Sequence, residues 1–144
     1  METQTQHAGS ALSDVRLAVL RQHTQLAQLL DELELYAEAV IGGRDAPARM
    51  NDALVLLHRR FMRHLEFEET QLMPLLATVL PERTAALSAS LAEHAEQRSR
   101  LDGLLRDRTV FADDPQTLAR EALAFVHAIR TDIAGEEQGL RALG

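Results

Sequence analysis

Apolar residues recur along the chain at steps of three and four, which is the period of amphipathic helices. Turn-forming residues interrupt this pattern at Gly42-Gly43, at Leu80-Pro81 and at Asp113-Asp114-Pro115. The last of these offers an N-cap and a first-turn proline to the segment that follows, and Pro47 opens the second segment. We therefore predict four helices, near residues 11–41, 48–79, 82–107 and 115–142.

Each predicted helix carries one apolar stripe, and the connections between the helices are short. Short connections make neighbouring helices antiparallel, so the predicted fold is all-α, an up-down antiparallel four-helix bundle. We expect residues 1–10 to be a flexible N-terminal tail and residues 11–144 to form the bundle. The stripes are Leu12, Val19, Leu26, Leu30, Leu33 and Ala37; Leu54, Leu57, Phe61, Leu65, Leu72 and Leu76; Leu87, Leu91, Leu101 and Leu105; Leu118, Ala122, Phe125, Ile129, Ile133 and Leu140.

Composition narrows the class of protein. The chain has 144 residues, a length that suits one domain. It has no cysteine, which excludes disulfides, thiolate zinc sites and iron–sulfur clusters. A net charge of −7 argues against a nucleic-acid or anionic-membrane partner. The short basic cluster of Arg59, Arg60 and Arg63 is interpreted as a solvated helix face. Because no apolar signal core or membrane-length apolar run is present, we expect a cytoplasmic protein.

Polar residues interrupt the apolar stripes at corresponding places. The stretch HLEFEETQLMP at 64–74 and the stretch DIAGEEQGLRA at 132–142 share a frame, with a polar first residue, Glu-Glu at the fifth and sixth places and Leu at the ninth. Residues four apart on a helix are neighbours, so each stretch directs two polar side chains to one point. His23 and His94 fall in the stripes of the first and third helices. At 1.5 Å per residue, His23, Glu68, His94 and Asp132 lie roughly 17–18 Å from the same end of the bundle.

This clustering has a chemical consequence. Buried carboxylates cost several kcal/mol each unless protons, arginines or a metal ion compensate them. Imidazoles beside carboxylates favour a metal, with iron, manganese or zinc as suitable ions. His58 is interpreted instead as a hydrogen-bonded packing residue, and His7 as a tail residue without a local role. The predicted metal site comprises His23, His64, Glu68, His94, Asp132 and Glu136.

At these residues the chain resembles the hemerythrin-like, HHE cation-binding family. The resemblance covers nearly the whole chain and is carried by the histidine of the first helix and by HLEFEE, EHAEQR and DIAGEE. It implies a four-helix bundle that holds non-haem iron, usually as two ions. It also implies that His23, His64, Glu68 and His94 are ligands, that Glu68 can bridge two ions, and that Glu136 matches the second glutamate of the family.

Two positions depart from the family pattern. Asp132 stands where the family normally has histidine, and Arg98 stands where its oxygen-carrying members have a second histidine on the third helix. Arg98 falls in the centre of that helix's stripe, so we expect it to point inward. His127, five residues before Asp132, matches another spacing of those carriers. It lies roughly 160° from the apolar face, however, so we expect it to face solvent and favour Asp132 as the ligand.

The expected function is that of a non-haem iron-binding protein that handles or senses oxygen, nitric oxide, peroxide or iron rather than transporting oxygen. A small diatomic or peroxide ligand would bind at the metal. The expected cofactor is a pair of iron ions, with a single ion or another divalent metal as alternatives. A di-iron peroxidase-like enzyme is a second hypothesis, although no acid–base pair or nucleophile motif marks catalytic residues. A third is an interaction module with a degenerate site, in which Arg98 pairs with Asp132 or Glu69.

Overall fold

The computed structural model describes the backbone of residues 2–142 and the side chains of residues 9–142 except those at positions 84 and 87. The side chains of His7 and Leu87 therefore lie outside the described set. Within residues 2–142 the chain forms α-helices, one π-helical segment and one 3-10 turn, and no strand. The helices are α1 (Glu2–Ile41), α2 (Ala48–Phe67), α3 (Met73–Val79), α4 (Thr84–Val110) and α5 (Pro115–Ala142), with the π-helical segment at Glu68–Leu72 and the 3-10 turn at Pro81–Arg83.

These elements make a four-helix bundle, because α2, the π-helical segment and α3 are continuous and act as one helix. Contacts between α1 and α5 show that these two helices run in opposite directions. Along α1 and α5, Arg16 lies 3.5 Å from the carbonyl oxygen of Leu140, whereas Glu34 pairs with Arg130. The all-α bundle predicted from the apolar period is confirmed.

The predicted boundaries hold for α5 and for the second bundle helix, but not for α1. This helix begins at Glu2, nine residues before the predicted start, so the predicted boundary is wrong. The prediction placed the start after Gly9 and Ser10, yet one glycine inside a helix costs only about 1 kcal/mol relative to alanine. The assignment of residues 1–10 to a separate tail remains a prediction. The third bundle helix is shifted, with α4 spanning Thr84–Val110 in place of 82–107.

The buried face of α4 also differs from the predicted stripe. Leu91 is 47% exposed, whereas Gln97 and Leu104 are buried beside His94 and Leu101. At about 100° per residue, Leu91 lies on the opposite flank of His94 from Gln97 and Leu104. Of the predicted stripe, Leu101 is buried and Leu91 is not, so the buried face is centred on His94 and Leu101.

The second bundle helix contains a widened turn at Glu68–Leu72, where the N–H of Met73 donates to the carbonyl of Glu68 five residues earlier. Pro74 follows at once and gives a physical reason for it. Proline cannot donate to the carbonyl four residues back, and its ring crowds that carbonyl, so a wider turn relieves the contact. The widened turn carries Glu68, one of the predicted site residues.

The apolar core is divided into two clusters. The larger one includes Leu26, Leu65 and Ile129, and the smaller one consists of Leu12, Val19, Leu72 and Leu140. Leu72 and Leu140 are the ninth residues of the two related stretches, and they pack in the same cluster. His23 lies between Val19 and Leu26 in α1, so the polar site occupies the junction of the two clusters.

No helix within residues 2–142 is both long enough and apolar enough to cross a membrane.

Candidate metal centre

Four side chains from three bundle helices converge at this junction. His23 from α1, His64 from α2, Glu68 from the π-helical segment and Glu136 from α5 each offer one ligand atom, and these atoms lie within 4.8 Å of one another. His23, His64 and Glu68 are buried, and Glu136 is half-buried. Four of the six residues predicted from the sequence therefore form one compact group.

The histidine side chains direct their Nε2 atoms towards Glu68 and Glu136. His23 Nε2 lies 3.2 Å from Glu136 Oε1 and 4.0 Å from Glu68 Oε1, and His64 Nε2 contacts Glu68 Oε1. His94 Nε2 lies on the other side of the same carboxylate, 3.7 Å from Glu68 Oε2. Glu68 thus presents one oxygen to His23 and His64 and the other to His94.

A polar side chain holds the opposite nitrogen of each histidine. Nδ1 of His64 lies 2.7 Å from Gln22 Oε1, Nδ1 of His23 lies 3.1 Å from Glu137 Oε1, and Nδ1 of His94 lies 2.9 Å from Glu69 Oε2. An amide oxygen and an ionised carboxylate can only accept, so each Nδ1 carries the proton and donates. The three Nε2 atoms are then available as electron-pair donors at the centre. Such outer partners fix ring orientation and tautomer in histidine metal sites.

Burial is the largest single influence on the pKa values at the centre. Burial, together with the neighbouring carboxylate of Glu136, raises the pKa of Glu68 to about 10. Burial also lowers the pKa of His64 to about 4, with help from the nearby His23. Without a bound cation at neutral pH, Glu68 is therefore protonated and His64 is neutral. Burial alone would raise the pKa of Glu136, but the nearby side chains of His23, Glu68 and His64 outweigh it and lower that pKa.

Three atoms at the centre lack a well-oriented hydrogen bond. Among the described residues, His23 Nε2, Glu68 Oε1 and Glu136 Oε1 are buried without a hydrogen-bond partner, although they lie close together. Most buried polar atoms in proteins are satisfied, and each exception calls for a physical explanation. Nitrogen and carboxylate donors that converge without satisfying one another are the donor set of a cation site. The residues present therefore fit a metal ion.

The other two predicted residues, His94 and Asp132, lie beside this group of four and are not part of it. Together with Glu136 they border a polar cavity of about 350 Å³ between α4 and α5. Asp132 Oδ2 accepts a hydrogen bond of 2.9 Å from Gln97 Nε2, and the same amide lies 3.3 Å from Glu93 Oε1. Burial and the charge of Asp132 raise the pKa of Glu93. Asp132 thus belongs to a polar cluster with Gln97 and Glu93.

Arg98 does not enter the core, contrary to its expected inward direction. It is 33% exposed, and its two terminal nitrogens each lie 2.7 Å from a carboxylate oxygen of Glu69. This bidentate pairing lowers the pKa of Glu69, which keeps the carboxylate ionised. Arg98 therefore holds the outer partner of His94, and it pairs with Glu69 rather than with Asp132.

The predictions for His58 and His127 agree with the structure. His58 is partly buried, and its Nε2 lies 2.8 Å from Asp102 Oδ1, as expected of a hydrogen-bonded packing residue. His127 is exposed. Sequence reasoning missed the outer partners Gln22, Glu69 and Glu137 and the buried Gln97. Three of these adjoin a predicted ligand in the sequence, and Gln97 lies three residues after His94 on the same helix face.

A helical bundle with histidine and carboxylate donors converging at one level of its core defines a class of metal-binding bundle proteins. Residues 17–143 match the family model described as the hemerythrin HHE cation binding domain, and the chain belongs to that family. A search of curated proteins and a search of solved structures returned no match.

Proposed function

We propose that the centre binds iron and that the protein handles or senses a small ligand there. The observation that supports this proposal is a set of three buried metal-ligand atoms without hydrogen-bond partners. These atoms are His23 Nε2, Glu68 Oε1 and Glu136 Oε1. A bound cation would satisfy all three atoms. It would also displace the proton from Glu68, whose pKa is about 10 in the metal-free protein. Membership of a cation-binding family supports the same conclusion.

Two ions suit the donor arrangement better than one. His23, His64, Glu68 and Glu136 would hold the first ion, and His94 and Asp132 would hold the second on the other side of Glu68. The two oxygens of Glu68 face the two sets of histidines, which is the disposition that a bridging carboxylate needs. Imidazole and carboxylate donors together suit iron, and manganese or zinc remain chemical alternatives.

Bound iron would supply an open coordination position for oxygen, nitric oxide or peroxide. A cavity of about 180 Å³ offers a path for such a molecule, because it is bordered by Glu68 and Glu136 and otherwise mainly by apolar side chains. A small neutral molecule loses little on leaving water for apolar surroundings, whereas a hydrated ion loses much. The polar cavity beside Asp132 and Glu93 suits the passage of cations instead.

Arg98 was the reason to consider a degenerate site, and its contacts favour an intact one. Its charge is neutralised by Glu69, and Glu69 in turn accepts from the Nδ1 of His94. Arg98 thereby supports a ligand instead of replacing one. We rank a peroxidase-like enzyme below binding or sensing, because no separate acid–base or nucleophile motif stands out in the sequence.

Asp132 argues against reversible oxygen transport. A carboxylate is a harder, anionic donor than imidazole and favours ferric over ferrous iron. Since Arg98 pairs with Glu69, its charge does not offset that of Asp132 directly. Reduced, iron-loaded protein exposed to air should convert directly to the ferric form, and Asp132→His should slow that conversion, as followed by absorption spectroscopy. A wild-type spectrum that returns to that of the ferrous protein when oxygen is removed would contradict this assignment.

A further inference from the structure

A second cavity lies between α1 and α2, on the outer side of His64. Its volume is about 250 Å³, and none of the described residues that line it is acidic. His64 closes its inner wall, and two arginines of α2 stand on the solvent side. The lining side chains are Gln22, Gln25, Leu26, Arg60, Arg63, His64 and Phe67.

The two arginines of this cavity have no carboxylate partner among the described residues. Arg98 and Arg130, by contrast, each pair with acidic side chains at 2.7 Å or less. Arg60 and Arg63 are three residues apart on one helix, so they share a face. In a chain with a net charge of −7, two unpaired guanidinium groups beside one cavity form a local site of the opposite sign.

Gln22 adds further donors to the same wall. Its Oε1 accepts from Nδ1 of His64 at 2.7 Å, which fixes the orientation of the amide. The side-chain NH₂ group of Gln22 therefore points away from that bond and has no partner among the described residues. The cavity thus combines two cationic groups with an oriented amide donor and lacks a competing carboxylate.

We propose that this α1–α2 cavity binds a small oxyanion of the phosphate class. Arg60 and Arg63 would supply charge-assisted hydrogen bonds to its oxygens, and the amide of Gln22 would donate a further one. The bound anion would share Gln22 with His64, and so would contact the outer partner of a candidate metal ligand. The site itself needs no metal, and it stands independently of the proposed function.

The test is a calorimetric titration of the metal-free 144-residue chain with inorganic phosphate, at constant ionic strength set with chloride. Arg60→Gln and Arg63→Gln should each weaken phosphate binding on the order of tenfold. Arg59→Gln is the matched control, because it removes the same charge from the same helix at an exposed position outside the cavity. This variant should bind phosphate within about twofold of the wild-type affinity, since a charge outside the cavity acts mainly through screened long-range attraction.

Melting curves of all three variants establish that they fold, as expected for exposed positions. Two results would overturn the proposal. One is a wild-type protein that binds phosphate no better than chloride. The other is an Arg59→Gln variant that loses as much affinity as Arg60→Gln, which would indicate diffuse attraction to a basic helix face.

Discussion

Glu68 is the residue at which burial has the clearest electrostatic consequence. Its pKa of about 10 in the folded, metal-free protein compares with an ordinary value of 4.5. The folded state thus retains a proton that the unfolded chain releases, so Glu68 contributes stability below pH 4.5 that is lost as pH rises towards 10. His64, with its pKa lowered from 6.5 to about 4, has the opposite effect only below about pH 6.5. Between pH 7 and 9 the contribution of Glu68 is therefore separate from that of His64.

We accordingly predict that the metal-free protein becomes less stable between pH 7 and pH 9, by up to about 1.4 kcal/mol per pH unit. Glu68→Gln copies the neutral acid and should flatten this slope. Urea unfolding at several pH values in the presence of a chelator measures it. Equal slopes for the two proteins would show that Glu68 is ionised in the folded state.

Gln22 is predicted to act on metal binding through His64. Its carbonyl oxygen holds the Nδ1 proton of that ring, and loss of such an outer partner typically weakens metal affinity by about 10- to 100-fold. Gln22→Ala should show a loss of this size in a competition titration with a chelator. Gln25→Ala is the control, because Gln25 lies on the same helix and borders the same cavity without contacting the histidine by a hydrogen bond. Similar losses in both variants would contradict this role.

At the level of single residues, the sequence identified side chains that the structure brings close together. Polar side chains inside apolar stripes stand out, and four of them converge while His94 and Asp132 lie alongside. The outer partners could not be identified in the same way. Gln22 and Glu137 resemble ordinary surface residues beside a buried one, and only the rotation of each histidine ring determines which neighbour it contacts.

At the scale of elements, the start of α5 shows how a short signal fixes a boundary. The backbone N–H of Thr117 donates to Asp114 Oδ1 at 3.3 Å and its hydroxyl to Asp114 Oδ2 at 2.5 Å, which is the N-cap predicted from Asp113-Asp114-Pro115. These hydrogen bonds lower the pKa of Asp114 below its ordinary 3.8. The stabilisation is therefore present above pH 3.8 and is lost as pH falls through the lowered value.

Asp114→Ala should lower the melting temperature at neutral pH, and the difference from wild type should shrink in strong acid as the wild-type carboxylate takes up its proton. Calorimetric melting at both pH values checks this. Asp113→Ala is the matched control, since Asp113 is the exposed neighbour and no hydrogen bond from it to α5 is seen. A larger effect for Asp113→Ala than for Asp114→Ala would show that Asp113, and not Asp114, caps the helix.

The widened turn at Glu68–Leu72 shows where periodicity fails. Apolar spacing predicted a continuous helix over 48–79, and the outline is correct. In this turn the backbone N–H groups bond to the carbonyl five residues back instead of four. The residues that follow are therefore shifted by one position around the helix, and the leucine stripe accommodates this shift. Pro74 was the available signal, because a proline inside a helix must disturb the turn before it. Within this turn, the adjacent Glu68 and Glu69 contact different ring nitrogens of His94, Nε2 and Nδ1.

At the scale of the whole molecule, the bundle surrounds a polar layer at the junction of two apolar clusters. Burial of the larger apolar cluster stabilises the fold. The polar layer without a cation, by contrast, leaves buried ligand atoms without hydrogen-bond partners. Two cavities lead to this layer from the α4 side, one mainly apolar and one polar, and Glu136 borders both. The expectation of two iron ions rests on the family resemblance, because the number and identity of bound ions depend on distances between side chains on different helices.

The most direct test of the central claim is the iron content of the folded protein after anaerobic reconstitution and removal of free metal. We predict two iron ions per chain for the wild type and for His127→Ala, whose substituted side chain is exposed, and little iron for Glu68→Gln. Circular dichroism confirms folding of each sample. Wild-type protein that is folded but free of iron, or Glu68→Gln protein that retains as much iron as wild type, would contradict the account.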